Sequence, residues 1–364
     1  MFIERGLAVT SRIIIAGLLF FLLPLSAESG QYPVEPYPDN IERRDGDKGF
    51  SRGFGMTNHS YSFDWFDSHL HLAYSHFPNR LKGREIQEVM DNWFRLTGVY
   101  QCNRAILLDP YLETMEWAKN DPRVYVFWWM KWNQGDELSE VKRRVDKGLI
   151  QGIKLHTGDF RAEKGHDYRI MGSEKWHKIY SYCEEAALPI IIHVNQHWGD
   201  QRYTYGKGAK EFWASVNYDN YGLLDYFLME LATKHPGVKW VLAHMNFQGT
   251  ESLARIFERY PNVYVDTGIG MFIREFDYLT PEEIKPYRDF CIKYADRIMF
   301  GTDAFAYHPL ESAYPDHIHN WWLPHFNFLM QLRLPQETLE KITHRTCENI
   351  LGKYLKKSSG QNNE

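Results

Sequence analysis

The chain has 364 residues, of which 44% are hydrophobic and 24% are charged, which suits one large α/β barrel or two ordinary domains. Its net charge of −5 argues against nucleic acid as the main partner, because a surface that binds phosphates needs clustered lysine and arginine. The spacing of the cysteines excludes a cysteine zinc site, and the sequence specifies no disulfide; they are Cys102, Cys183, Cys291 and Cys347.

The first 27 residues have the pattern of an export signal. Arg5 and Arg12 precede an apolar run over residues 13–25, and small residues follow up to Ala27, where we expect cleavage. The run is shorter than the ~20 residues that span a bilayer, and an uncleaved membrane anchor is the alternative. We therefore expect a periplasmic or secreted protein, which meets the membrane through this leader if it is not cleaved.

Residues 28–60 are rich in proline, glycine, aspartate and arginine and lack periodicity, which predicts an extended arm or linker. From residue 61 onward, short apolar strands alternate with amphipathic helices. Strands are predicted at 61–72, 105–109, 124–130, 152–156, 189–193, 238–244, 263–266 and 297–303. Helices are predicted at 84–96, 111–119, 136–147, 174–187, 223–234, 251–259, 281–294 and 336–351.

Eight strand–helix alternations predict a parallel sheet that closes into a (β/α)8 TIM barrel. An open doubly wound sheet is the alternative, but no glycine-rich phosphate loop follows the first strand. We assign residues 61–355 to this barrel and residues 356–364 to a disordered tail.

The first strand ends in a motif with two histidines. Residues two apart in a strand point the same way and lie roughly 6.5 Å apart, so His69 and His71 share a face, and Asp67 points with them. Two such imidazoles can share an ion at about 2.0–2.1 Å from each nitrogen. The pair would equally suit hydrogen-bonded histidines at a strand end, so this motif by itself leaves both interpretations open.

Other predicted strands also end in polar residues, and in a parallel barrel all these ends lie on the rim where active sites are built. The residues are His69, His71, Lys154, His156, His193, His244, Asp266 and Asp303. Each position taken singly suits a hydrogen-bonded structural residue, but together they predict a metal site. Three neutral imidazoles and one carboxylate favour zinc, with manganese and iron as alternatives.

Six segments, in this order and spacing, resemble the amidohydrolase superfamily. They are Asp67–His71, Gly152–His156, Pro189–His193, Val241–His244, Val263–Asp266 and Phe300–Asp303. The similarity runs to about Leu351. It is specifically to the amidohydrolase-2 branch, the metal-dependent hydrolases related to aminocarboxymuconate-semialdehyde decarboxylase.

The resemblance implies a barrel that holds one divalent ion. Its ligands would be His69, His71, His193 and Asp303, and Asp303 would also accept a proton from the activated water. His244 would lie beside the metal and either polarise the substrate carbonyl or shuttle a proton.

Lys154 has two interpretations within this superfamily. In members with two metal ions, a lysine on the fourth strand is carboxylated and bridges the ions. A single ion is more usual in this branch, so we favour Lys154 and His156 as residues that bind a substrate carboxylate or carbonyl.

Aromatic residues crowd the loops after the fifth and eighth strands, which predicts either lid or subunit packing or a pocket wall for a ring-shaped substrate. They are Tyr203, Tyr205, Phe212, Trp213, Tyr218, Tyr307, Tyr314, Trp321, Trp322 and Phe326.

The combined expectation is a hydrolase that attacks an amide, ester or lactone carbonyl of a carboxylated or ring-shaped small molecule, and that forms a homo-oligomer. The alternatives are a non-oxidative decarboxylase of an unsaturated or aromatic acid and a non-catalytic exported binding protein.

Overall fold

The computed structural model describes residues 64–72, 83–132, 137–157, 167–194, 220–247, 249–268, 281–306 and 322–356. The predicted leader and arm lie outside the described residues, as do positions 357–364 of the predicted tail. Lys356, which we assigned to the tail, is held by hydrogen bonds. Its backbone N–H donates to the Tyr125 hydroxyl and its ammonium donates to the carbonyls of Ala118, Asp121 and Val124. No helix in these ranges combines the length and apolarity needed to cross a bilayer.

The described strands form one parallel sheet in which each strand from β1 to β8 pairs with the next in sequence. They are β1 Trp65–Leu72, β2 Cys102–Asp109, β3 Val124–Trp129, β4 Gly152–His156, β5 Ile190–His193, β6 Trp240–Leu242, β7 Val263–Asp266, β8 Ile298–Met299 and β9 Ala304–Ala306. The strands are apolar and buried because helices cover the sheet. The predicted (β/α)8 barrel is confirmed.

The barrel closes where its eighth strand is broken into two pieces. β8 pairs with β7, and β9 pairs in parallel with β1. Between them, the carbonyl of Phe300 accepts a hydrogen bond from Ser68 N–H at 2.9 Å, and Asp303 N–H donates to the carbonyl of His69 at 2.8 Å. The strand predicted as continuous over 297–303 is interrupted after Met299, and Asp303, the last residue of the break, has a left-handed φ of 57°.

Helices connect the strands as predicted, with small shifts of their ends. They are α1 Gly83–Thr97, α2 Leu112–Ala118, α3 Glu137–Asp146, α4 Glu174–Glu185, α5 Asn220–Tyr226, α6 Thr250–Arg259, α7 Pro281–Lys293, α8 Leu323–Gln331, α9 Gln336–Glu340 and α10 Thr346–Leu351. A π-helix, Phe227–Ala232, extends α5, and another, Lys341–Arg345, joins α9 to α10. Helix α8 was predicted as loop, although Pro324 at its start is a common helix-initiating residue.

Helix α10 covers the end of the barrel at which the strands begin. Cys347, Ile350 and Leu351 join the buried cluster that fills the barrel. Glu348 pairs with Arg104 at 2.7 Å, and the carbonyl of Asn349 accepts a hydrogen bond from the Lys239 ammonium. Since this end is covered by the chain itself, the opposite rim is the end available for a site.

Candidate metal centre

Three residues from distant parts of the chain bring potential ligand atoms within 4.8 Å of one another at this rim: His69, His244 and Asp303. The Oδ1 atom of Asp303 lies 3.2 Å from Nε2 of His69 and 3.1 Å from Nε2 of His71. His69 and His71 come from β1, whereas Asp303 lies in the break between β8 and β9. The closure of the barrel therefore places the first and last strands at one site.

Each of the two β1 histidines has a second partner, which lies at its Nδ1 atom. Nδ1 of His69 lies 2.8 Å from Oδ2 of Asp266, and Nδ1 of His71 lies 3.3 Å from the carbonyl oxygen of Leu108. Because the Asp266 carboxylate is an acceptor, Nδ1 of His69 donates to it, whereas His71 faces an acceptor at each ring nitrogen, Leu108 at Nδ1 and Asp303 at Nε2. In both rings Nε2 faces Asp303 while Nδ1 contacts another acceptor, an arrangement typical of metal-binding histidines.

The charge balance of this cluster fits a divalent cation. Burial lowers the pKa of His71 and outweighs the opposing effect of Asp303, so His71 is neutral at pH 7. Its Nε2 lies at hydrogen-bond distance, 3.1 Å, from Oδ1 of Asp303, and a cation bound by both atoms would take the place of the proton between them. Nε2 of His69 is likewise buried and makes no hydrogen bond, despite its approach to Asp303. The residues present therefore fit a metal ion.

Asp303 and His69 respond to each other's charge. Burial raises the pKa of Asp303, but His244, His69 and His71 outweigh this effect and hold it well below its ordinary value. Burial likewise opposes the charged form of His69, yet Asp266 and Asp303 raise its pKa. The site thus keeps its carboxylates ionised and attracts positive charge.

Asp266 connects two of the clustered residues. Besides its bond to His69, its Oδ1 accepts hydrogen bonds from the backbone N–H of His244 at 2.8 Å and of Gly268 at 3.1 Å. Burial raises the pKa of Asp266, but His69 and His244 lower it further, so it is ionised. Sequence reasoning placed Asp266 on the rim and gave it no role; its position as the last residue of β7 was the available signal.

His244 lies beyond the end of its strand. β6 ends at Leu242, and residues 244–246 all have positive φ angles of 48–60°. This left-handed turn directs the His244 N–H toward Asp266. Burial lowers the pKa of His244 to about 3, so its imidazole is neutral at pH 7. Its Nε2 lies 3.1 Å from Nδ1 of His193, and one of these two nitrogens carries the shared proton.

The β4–β5 side of the rim carries the other predicted residues. His193 contacts His244, and its ring centroid lies 4.3 Å from that of His156. Burial, His156 and His244 hold the pKa of His193 well below its ordinary value. Lys154 is 1% exposed, and its charge contributes to lowering the pKa values of the clustered histidines, so it faces the same site. The roles of these residues stay predictions.

Aromatic side chains border the histidines. Trp129, the last residue of β3, lies with its ring centroid 5.7 Å from those of both His71 and His156. Phe305 of β9 stacks on His71 at 5.3 Å. Sequence reasoning missed both residues, although Trp129 is the last residue of β3 and Phe305 lies two residues after Asp303.

Two of the aromatic residues assigned to the loops after the fifth and eighth strands lie within the described part of the chain. Trp322 and Phe326 are buried and stack on each other, and both contact Trp65 and Tyr100. Packing is therefore the correct interpretation for these two. The other loop aromatics, from Tyr203 to Tyr218 and from Tyr307 to Trp321, lie outside the described residues. All four cysteines of the sequence lie in the described residues, and each is a buried free thiol.

Comparisons with solved structures support the fold. An uncharacterized TIM-barrel protein from Bordetella bronchiseptica is 14% identical, with a TM-score of 0.53 over 80% of this chain and 99% of that one. A 4-oxalomesaconate hydratase from Rhodopseudomonas palustris is 12% identical, with a TM-score of 0.52 over 79% of this chain and 95% of that one. No curated protein sequence matches the chain.

A family model described as amidohydrolase matches residues 84–353, which is most of the chain. Members of the amidohydrolase superfamily usually use a divalent metal and act on small molecules, in agreement with the cluster of His69, His244 and Asp303. The expectation of an enzyme is confirmed, rather than that of a non-catalytic binding protein. The chain belongs to the amidohydrolase family.

Proposed function

We propose that this enzyme hydrolyses an amide, ester or lactone carbonyl of a small molecule with the help of one divalent ion, zinc being the first choice. One observation supports this most strongly: Nε2 of His69 and Nε2 of His71 both approach Oδ1 of Asp303 within 3.2 Å, while their Nδ1 atoms contact other acceptors. Nitrogen-rich ligand sets with a carboxylate suit zinc, with manganese and iron as alternatives.

The proposed ligands are His69, His71, His193 and Asp303. When bound, the ion supplies Lewis acidity, which polarises a carbonyl oxygen and activates water for attack near neutral pH. His193 is proposed as the ligand from β5, because it adjoins His244, which belongs to the clustered group.

Asp303 is proposed to accept the proton from the attacking water. Its low pKa keeps it ionised at neutral pH, and its side chain is 19% exposed whereas that of His69 is 1% exposed. It is therefore charged and within reach of solvent from the rim. The neutral His244 is proposed to hydrogen-bond the substrate carbonyl or to pass a proton to the leaving group.

Lys154 and His156 are proposed to bind the substrate. Lys154 offers a buried cation on β4, which suits a substrate carboxylate or carbonyl. His156 and Trp129 stack with an interplanar angle of 28°, so their flat surfaces suit a ring-shaped substrate. A carboxylated ring or a lactone meets both requirements.

The proposal is tested with the full-length protein after metal analysis. A panel of carboxylated rings and lactones is assayed both for hydrolysis products and for CO2. We expect one ion per chain and hydrolysis without CO2. Release of CO2 with no hydrolytic product would overturn the proposal in favour of non-oxidative decarboxylation on the same scaffold. A metal ratio near two would overturn the single ion and favour carboxylation of Lys154.

A further inference from the structure

Asp67 lies at the seam where β1 meets the broken eighth strand. Its carboxylate is fully buried and accepts three hydrogen bonds. Oδ2 accepts from the Thr302 hydroxyl at 2.6 Å, and Oδ1 accepts from the backbone N–H groups of Thr302 and His69, both at 3.1 Å. His69 is a proposed metal ligand, and Thr302 directly precedes another proposed ligand, Asp303.

The backbone of Asp303 is in a conformation that needs external support. A φ of 57° is in the left-handed region, which is strained for a residue other than glycine and persists where the surroundings impose it. The Thr302 hydroxyl donates to Asp67 and also accepts from Ala304 N–H at 3.2 Å, so it holds the chain on both sides of Asp303. Asp303 N–H is itself bonded to His69.

The seam is also tightly packed. A methyl group at Gly301 would lie 2.9 Å from both the Cβ of His69 and the Oγ of Ser68. The Thr267 hydroxyl donates to the carbonyl of Gly301 at 2.8 Å and accepts from its N–H at 3.0 Å. The segment before Asp303 is therefore fixed from the β7 side by Thr267 and from the β1 side by Asp67.

We propose that Asp67 and Thr302 are positioning residues of the metal centre, which hold the His69 imidazole and the Asp303 carboxylate at the separation that an ion requires. This inference rests on the proposed function, since it takes His69 and Asp303 as ligands. Neither Asp67 nor Thr302 is among the proposed metal ligands or substrate-binding residues. A role limited to barrel stability predicts instead that losing their hydrogen bonds lowers stability and leaves metal affinity unchanged.

The test measures metal binding as well as stability. Thr302→Val removes the hydroxyl and nearly keeps the side-chain volume, whereas the separate variant Thr302→Ser retains the hydroxyl. Thr346→Val is the matched control, because the buried Thr346 hydroxyl also donates one hydrogen bond, to the carbonyl of Ala295 at 3.0 Å, and lies on the helix that covers the opposite end of the barrel. Each metal-free protein is titrated with Co²⁺, and its affinity, visible absorption spectrum and Tm are recorded.

We expect Thr302→Val to lose about 10–100-fold in Co²⁺ affinity and to change the spectrum, as is usual when a residue behind a metal ligand is lost. Thr302→Ser should bind like wild type, and Thr346→Val should lose Tm but no affinity. Wild-type affinity and spectrum in Thr302→Val would overturn the inference and leave the proposed function standing. A wild-type protein that binds no Co²⁺ would overturn both. If Thr302→Val does not fold, Asp67→Asn is judged by the same affinity criterion.

Discussion

Two clusters in this molecule contain nearly the same groups. At the rim, His69 and His71 lie with Asp266 and Asp303. In the outer helical layer, two histidines again lie between two carboxylates. There, Nδ1 of His177 lies 2.8 Å from Nε2 of His235, while Glu230 lies 3.4 Å from His177 and Glu184 lies 3.7 Å from His235.

The difference between the clusters is the direction of the ring nitrogens. In the outer cluster the two imidazoles bond to each other, and their remaining nitrogens point to separate carboxylates, so the four groups form a chain. At the rim, both Nδ1 atoms face other acceptors, and both Nε2 atoms approach one carboxylate oxygen. The rim alone meets the geometric requirement for a shared ion among the described residues. The residues behind the ligands therefore decide which cluster can hold a metal.

The largest expected effect comes from removing the carboxylate shared by the rim histidines. Asp303→Asn should lower turnover by about 10²–10⁴-fold, because the site loses both a charged ligand and a proton acceptor. The matched change in the outer cluster, Glu230→Gln, should leave turnover near the wild-type value. Steady-state kinetics on a substrate from the panel checks both variants. Equal activity of Asp303→Asn and wild type would show that our role for Asp303 is wrong.

Gly268→Ala tests whether the position of His244 matters. A Cβ at this residue would lie 2.5 Å from Nδ1 of His244 and 2.9 Å from Oδ1 of Asp266, so the imidazole must move. Displacements of about 1 Å in a catalytic group can cost up to about 10²-fold in rate. Gly98→Ala, where nothing lies within 4 Å of the added Cβ, is the control. If both variants retain full turnover, the placement of His244 is not required for catalysis.

Asp266→Asn tests the orientation of His69 with a change that nearly keeps the size of the side chain. The amide can still accept a hydrogen bond, but it loses the charge that keeps Nδ1 of His69 protonated and its Nε2 directed at the site. We expect metal affinity to fall by about 10–100-fold. Glu184→Gln beside His235 makes the same chemical change away from the rim and should not alter metal affinity. Calorimetric titration of the metal-free proteins measures both, and equal affinities would contradict the comparison of the two clusters.

The smallest effect concerns the pH dependence of stability. Burial and the neighbouring His177 lower the pKa of His235, whereas a histidine in the unfolded chain has a pKa near 6.5. Below about pH 6.5 the unfolded state therefore binds more protons, and stability falls as the pH falls. His235→Gln should reduce this slope by at most about 1.4 kcal/mol per pH unit. Urea unfolding of the wild type and the variant from pH 8 to pH 5 measures how the free energy of unfolding changes with pH. Identical slopes in the two proteins would refute the prediction.

The barrel could be predicted from the sequence because its strands are short and apolar and are separated by segments with helical periodicity. This pattern runs from the first strand to β7, which ends at Asp266. It also predicted that polar residues at strand ends meet at one rim. It did not predict the turn at His244 or the break at Asp303. Both depend on hydrogen bonds across the barrel, to Asp266 and through Thr302 to Asp67, which local periodicity does not encode.

The central claim is that one ion lies between the two β1 histidines and Asp303. Anomalous diffraction from crystals grown with zinc, recorded on both sides of the zinc absorption edge, tests it most directly. We predict one strong anomalous peak at about 2.0–2.2 Å from Nε2 of His69, Nε2 of His71 and the Asp303 carboxylate. The claim would be contradicted by a rim without an anomalous peak, or by two peaks on either side of Lys154.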